Sequence, residues 1–404
     1  MIIHDITRLT ALLILSDICL TEECRFLFFY LIGSRGRRLL PDVPISGRIY
    51  MEITEVIKKA YAAGASDVHL LFGRPAMLRI NGTMSAYGTE ILQQKDLNEL
   101  LTICLSQDQK KTLEETGEID AAVSIPGLSR IFVNVYRQQG MYAAAIRLLA
   151  PDVPSPGELA VPESVVTLAQ ESKGLVLING EAGSGKSTTT ASLLNEMAGK
   201  EAKSIITIEN PIEYLLSPGK SIISQREIGI DTSGYAEAVR ASRRQDADVV
   251  YIGELPDTET IMEAILTAEA GHLVISSLYT CRTEDALHRL ICSFPHDRRE
   301  EMQKRLAEIL KGVVTKKLLP RNGTKGRIAV YEIMLADKEI RERVAAGRIS
   351  EITALIEQKQ EGGMQTMDGA ILSAYMRSEI SAETAVSCAL DQDRMKNRMK
   401  VYTV

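Results

Sequence analysis

Residues 174–187, GLVLINGEAGSGKS, constrain this 404-residue chain more than any other stretch: an apolar run enters a glycine-rich loop that ends on Lys186 and Ser187. The spacing Gly180, four residues, Gly185, Lys186, Ser187 is the P-loop pattern, and it has a mechanism only between a strand and a helix. Both flanks are predicted. Residues 175–178 read as a short buried strand, and 187–197 lack Pro and Gly and set Leu193, Leu194 and Met197 on one helical face. Gly180, Gly183 and Gly185 let the backbone curl so that successive N–H groups point at phosphate oxygens, with the positive end of the helix dipole behind them. The loop residues expected to cradle phosphate are Gly180, Gly183, Ser184, Gly185, Lys186, Ser187 and Thr188. Lys186 is expected to reach the β- and γ-phosphates and Ser187 to hold Mg2+, so a nucleoside triphosphate and a magnesium ion are the implied ligands.

Composition narrows the class of partner. The formal net charge of -6 argues against a chain whose main task is to track a phosphate backbone, so no nucleic acid partner is expected. The six cysteines form no C-x-x-C pair, which suggests neither a zinc ribbon nor a disulfide framework and fits a reducing cytoplasm.

Residues 1–50 differ from the rest. The segment 9–32 is apolar, but Asp17, Glu22, Glu23 and Arg25 interrupt it, which weighs against a membrane span. A signal peptide lacks its basic start and small-residue cleavage site. The expectation is an extension, poorly ordered or not translated, with the working protein starting at Met51; membrane association is the alternative.

From Met51 the pattern becomes regular. Residues 52–63 read as an amphipathic helix closed by Gly64, followed by short alternating runs at 67–71, 76–80, 121–125, 130–136 and 141–148 with a helical pattern over 97–116. Asn81-Gly82 is a hairpin signal. This predicts a small α+β domain at 51–150, and the proline-rich 151–163 reads as a linker. Beyond it, 164–335 alternates strands and helices as a parallel sheet does, with strands at 204–208, 249–252 and 272–276 and helices at 261–270 and 299–319. A strand at 327–334 ends that domain, and 336–404 reads as helical. The expected fold class is therefore α/β.

Phosphoryl transfer to water needs a metal to bridge phosphates, a group to activate the water, and positive charge for the transition state. Carboxylates after parallel strands are the candidates, because ligands sit at the carboxyl ends of such strands. Glu254 follows the 249–252 strand and is expected at the metal or its water. Glu209 and Glu213 flank Pro211, and Glu213 is the residue expected over the γ-phosphate. Each also reads as a solvated loop acid. His272 is a candidate γ-phosphate sensor, or a structural histidine at a strand start.

These residues sit in strings that carry a resemblance. The P-loop, ITIENPIEY (206–214), ISQREIGIDTSGYAEAVRASRRQDADVVYIGE (223–254), TAEAGHLVISSLYT (267–280) and GMQTMD (363–368) together resemble the secretion ATPase superfamily. Within it they are most similar to the pilus retraction ATPases of twitching motility, the PilT family; ASDVHL (65–70) and VNVYRQQGMYAAAIR (133–147) extend the similarity into the first domain. The resemblance implies a homo-hexameric ring of subunits, each with a PAS-like N-terminal domain and a RecA-like ATPase domain, with ATP and Mg2+ bound between them. It implies Lys186 and Ser187 as the Walker A pair, Glu213 as the glutamate that activates water, Glu254 as the Walker B acid and His272 as the His-box residue. Arg130 and Arg147, with Arg137 less securely, would be the positive groups facing the phosphates. The ring would act in the cytoplasm, peripheral to the membrane through a pilus platform protein, and hydrolysis would remove pilin subunits from the pilus base.

The chain departs from the family pattern at Pro256 before Asp257, at Tyr279 in place of the second His-box histidine, at Gln245 and Ala247, and at 339–344, EIRERV, where a retraction motif is reduced. Two other readings are an assembly or type II secretion motor, and a regulatory ring subunit that binds nucleotide with little hydrolysis.

Overall fold

The computed structural model describes residues 55–401 apart from 81, 126–128, 149–151 and 324–325. The expectations for residues 1–50 lie outside the described residues. Among the described residues no helix is long and apolar enough to cross a membrane.

Two sheets organise the chain. The first is antiparallel, built from β1 (Ala65–Leu71), β2 (Ala76–Ile80), β3 (Thr83–Tyr87), β4 (Glu118–Ile125), β5 (Ser129–Gln138) and β6 (Met141–Leu148) in the order β3-β2-β1-β6-β5-β4. Its alternating pattern turns Val68, Leu70, Leu78, Val133, Val135 and Ile146 to one face, where they pack with Leu97, Leu100 and Leu113 of the helices Gln94–Cys104 and Gln107–Thr116. Ile80 stands opposite Thr83, and β2 and β3 pair as the antiparallel hairpin strands that the Asn-Gly signal predicts.

The second sheet holds β7 (Gly174–Asn179), β8 (Ser204–Glu209), β9 (Ile222–Glu227), β10 (Val249–Ile252), β11 (Leu273–Leu278), β12 (Leu310–Pro320) and β13 (Arg327–Leu335) in the order β13-β12-β7-β11-β10-β8-β9. All pairs are parallel except β12 with β13. Parallel strands buried on both faces need continuous apolar runs, and β7 shows why: Leu175 and Leu177 face one core with Ile206, Val250 and Leu287, while Val176 and Ile178 face another with Leu194, Ile205 and Ile275. The helix Lys186–Lys200 lies over the second of these faces, its Leu193, Leu194 and Met197 packed beside Ile205 of β8. That placement sets the phosphate loop opposite the segment that leaves β8.

One predicted element is replaced. The helix expected over 299–319 stops at Ile309, and residues 310–320 form β12. Val313, Val314 and Thr315 favour a pleated strand over a helix, and β12 gains pairing on both sides, from β7 and β13. A helical period read through both segments could not register that pairing. The edge strand β9 and the strand β3 also carry no clear alternation in the sequence. The 336–401 region is helical in five pieces, Lys338–Ala345, Ile352–Gln358, Met367–Met376, Ala382–Cys388 and Gln392–Val401; the last three share a small core with Leu319, Ile328 and Val330.

Candidate active site

The loop between β7 and the helix Lys186–Lys200 has the backbone that its glycines permit. Gly180, Gly183 and Gly185 have φ of 148°, 75° and 82°. A Cβ on Gly180 would stand 2.4 Å from Ser184 Oγ and 2.5 Å from the Lys316 carbonyl oxygen, so the turn is closed to any larger residue. Lys186 is buried, and its Nζ donates to the carbonyls of Gly180 and Glu181 at 2.7 and 2.9 Å. Burial lowers its pKa, while Glu213 and Glu254 oppose that shift. Two of the three ammonium protons thus point at the loop itself. The third side is covered by Tyr279, whose ring centroid lies 4.0 Å from Nζ.

Tyr279 reaches this position because β11 runs parallel to β7, with Leu278 beside Asn179 at the ends nearest the loop. Its hydroxyl lies 3.4 Å from Glu254 Oε1, and burial followed by Glu254 raises its pKa. Glu254 follows β10, the next strand in the sheet, so Lys186, Tyr279 and Glu254 line one row across the strand ends.

The loop after β8 supplies the other wall. Ser187 Oγ donates to Glu213 Oε1 at 3.0 Å, and Thr188 Oγ1 lies 2.9 Å from the Tyr214 hydroxyl. Glu209, at the end of β8, is buried; Thr207 Oγ1 donates to it at 2.6 Å and Gln225 Nε2 at 3.2 Å. Burial pushes its carboxyl up to about 7 despite those two donors. Glu209 is therefore no solvated loop acid but the buried root from which the segment to Glu213 starts.

The arginines expected at the phosphates have other partners within this chain. Arg130 forms an ion pair with Glu227 at 2.5 Å, and the same Glu227 oxygen accepts the N–H of Ile212, beside Glu213, at 3.0 Å. Arg147 pairs with Asp67 at 3.3 Å, and Arg137 lies against Tyr142. His272 lies at the other end of the sheet from the loop. Its carbonyl accepts the N–H of Gly174 and its Nδ1 lies 2.6 Å from the Ala247 carbonyl oxygen, at the amino end of β11. Parallel pairing puts the whole length of β7, about 20 Å for six residues, between it and the loop. Within the chain it is Tyr279, not His272, that the strand delivers to the phosphate site.

Among the described residues no group of three or more His, Cys, Asp or Glu is placed to hold a metal by itself. The oxygens present fit magnesium bound with a nucleotide, which takes one or two protein ligands and completes its shell with phosphate and water. Ser187, while donating to Glu213, keeps its lone pairs for such an ion. Sequence reasoning missed Lys316, Glu227 and Tyr214, which enter the site from β12, β9 and the 210–217 loop with no local motif to announce them.

A phosphate loop between a parallel strand and its helix, with acids at neighbouring strand ends, defines a P-loop nucleotide-binding protein. The chain belongs to the type II/IV secretion system protein family, whose model matches residues 159–385. It is 33% identical over 335 residues to the type IV pilus retractation ATPase PilT of Pseudomonas aeruginosa, covering 83% of this chain and 97% of that one. To the type IV pilus ATPase PilU of the same organism it is 31% identical, covering 87% of this chain and 92% of that one. A crystal structure of the pilus retraction motor PilT with bound ADP superimposes with a TM-score of 0.80 at 34% identity, over 85% of this chain and 99% of that one.

Proposed function

We propose that this chain is a magnesium-dependent ATP hydrolase that powers retraction of a type IV pilus, working as a homo-hexameric ring on a membrane platform protein at the cytoplasmic face. The observation that carries the catalytic reading is the 3.0 Å contact between Ser187 and Glu213, which joins the metal-holding hydroxyl to the acid expected to activate water. Similarity to PilT and PilU along most of the chain supports the pilus role. In this reading 51–150 is a PAS-like domain, 151–163 a linker, 164–335 a RecA-like ATPase domain and 336–404 a helical domain.

The backbone N–H groups of Gly183 to Thr188 and the Lys186 ammonium bind and orient the β- and γ-phosphates. Ser187, with Glu254, would hold Mg2+, which would supply charge neutralisation on the phosphates. Glu213 takes a proton from the attacking water as its oxygen bonds the γ-phosphorus, and the bond to the β-phosphate oxygen breaks. Arg130 and Arg147, from the antiparallel sheet, are the positive groups for a phosphate across a ring interface.

Purified chain is expected to hydrolyse ATP with Mg2+, and Lys186→Ala and Glu213→Ala to abolish turnover; wild-type turnover no higher than these variants rejects the motor. A strain lacking the chain is expected to carry more pili, whereas loss of an assembly motor leaves none. One observation favours a second reading, a nucleotide-binding ring subunit that hydrolyses little: the Tyr279 ring covers Lys186 where a phosphate is needed.

A further inference from the structure

Under the phosphate loop lies a cation that the reaction above does not use. Lys316 follows Thr315, which pairs with Asn179 at the end of β7, so its side chain runs beneath the loop and the residue is only 4% exposed. Its Nζ donates to Thr189 Oγ1 at 2.7 Å and to the Gly185 carbonyl at 3.2 Å. The loop sits so close that a Cβ on Gly185 would come within 3.0 Å of that nitrogen. No carboxylate answers the charge among its described partners. The helix Lys186–Lys200 offers the neutral Thr189, β7 ends on the neutral Asn179, and β13 offers Tyr331, 5.7 Å from Nζ to ring centroid, with Arg327 at the strand's start adding like charge. Burial first, and Arg327 second, lower the ammonium to about 8. The Tyr331 phenol is pushed up by burial to about 12 and stays neutral through the same range. A buried ammonium without a counter-ion is unfavourable, and a bound polyphosphate would bring negative charge to the other side of the loop.

We propose that Lys316 is a positioning residue of the nucleotide site: its hydrogen bonds fix Gly185 and Thr189 at the head of the helix, and its charge is matched through the loop by the nucleotide phosphates. This rests on the loop being a nucleotide site. Bound phosphate then favours the protonated lysine, so binding takes up a proton where the free protein has begun to release it, and affinity declines as pH rises through the free protein's value.

The test is ADP binding to the full chain by titration calorimetry at pH 7 and pH 10, for wild type, Lys316→Gln and Lys186→Ala. Lys316→Gln is expected to bind about tenfold more weakly than wild type at pH 7, and wild type to fall by about tenfold at pH 10 toward the glutamine variant, which itself changes by less than about twofold. Equal affinities at pH 7, or an equal fall in both proteins, overturn the role of Lys316 while leaving the loop reading intact. Failure of wild type to bind ADP, or undiminished binding by Lys186→Ala, removes the loop reading itself. If Lys316→Gln does not fold, the heats of wild-type binding at pH 8 in two buffers of different ionisation enthalpy decide the matter: uptake of about 0.4 proton supports the proposal and uptake of none overturns it.

Discussion

The Tyr279 ring lies over the Lys186 ammonium, 4.0 Å from centroid to nitrogen, while its hydroxyl faces Glu254 at 3.4 Å. One side chain therefore touches both the lysine proposed for phosphate and the acid proposed for the metal. The residue is half exposed, so it can be replaced without opening the core. A cation–π contact at such a site contributes about 0.5–1 kcal/mol. Tyr279→Ala is expected to bind ADP about two- to fivefold more tightly, as the competing contact is gone, and Tyr279→Phe to match wild type, as the ring remains. Tyr279→His, which exchanges the ring for a polar imidazole, is expected to turn over ATP faster. Equal ADP affinity in Tyr279→Ala and wild type, measured by fluorescence titration, would show that the ring does not compete with phosphate.

In the proposed reaction Ser187 and Glu213 divide binding from chemistry. Glu213→Gln keeps an oxygen to accept the Ser187 proton but cannot take a proton from water. Turnover is expected to fall by about 100-fold or more with ADP affinity retained. Ser187→Ala is expected instead to weaken the dependence of nucleotide affinity on magnesium. Loss of ADP binding in Glu213→Gln would place that residue in binding rather than in hydrolysis.

Arg130 and Glu227 tie the antiparallel sheet to the loop that carries Glu213, and both side chains are largely buried. Glu227→Gln removes the carboxylate that pairs with the Arg130 guanidinium, so unfolding in urea is expected to show a loss of about 3 kcal/mol. Because the same carboxylate holds the Ile212 N–H, turnover falls with it. A double-mutant cycle with Arg130→Met measures the pair directly, and additive effects would mean that the two residues are not coupled.

Glu209 makes stability depend on pH in a stated direction. Its carboxyl titrates at about 7 when folded and lower when unfolded, so the folded chain holds the proton more tightly. The stability associated with it is full below the unfolded value, near pH 4.5, and is lost as pH rises to about 7, a change on the order of 3 kcal/mol at most. Glu209→Gln keeps an oxygen for Thr207 and Gln225 and remains neutral. It is expected to match wild type at pH 5 and exceed it at pH 8 in urea unfolding. A variant less stable than wild type at pH 8 would mean that the ionised carboxylate is the form that the fold favours.

Local pattern settled the phosphate loop, since glycine spacing, the apolar run before it and the helix after it are all contiguous, and the backbone angles at Gly180, Gly183 and Gly185 follow from residue type. The same kind of local signal marked β8, β10 and β11 and so put Glu213 and Glu254 after strands. Sequence pattern could not say which end of β11 faces the loop: His272 and Tyr279 are seven residues apart, and only the parallel pairing of β11 with β7 puts one beside Gly174 and the other over Lys186. Nor could it separate the helix ending at Ile309 from β12, because the strand owes its form to partners on both sides. Lys316 reads in sequence as one of two adjacent lysines, and the sheet alone buries it under the loop while its neighbour Lys317 reaches the Cys388 carbonyl. Spacing along the chain fixes what a segment does with its own backbone; which charges meet is decided by strand order and register, which bring together residues more than a hundred positions apart.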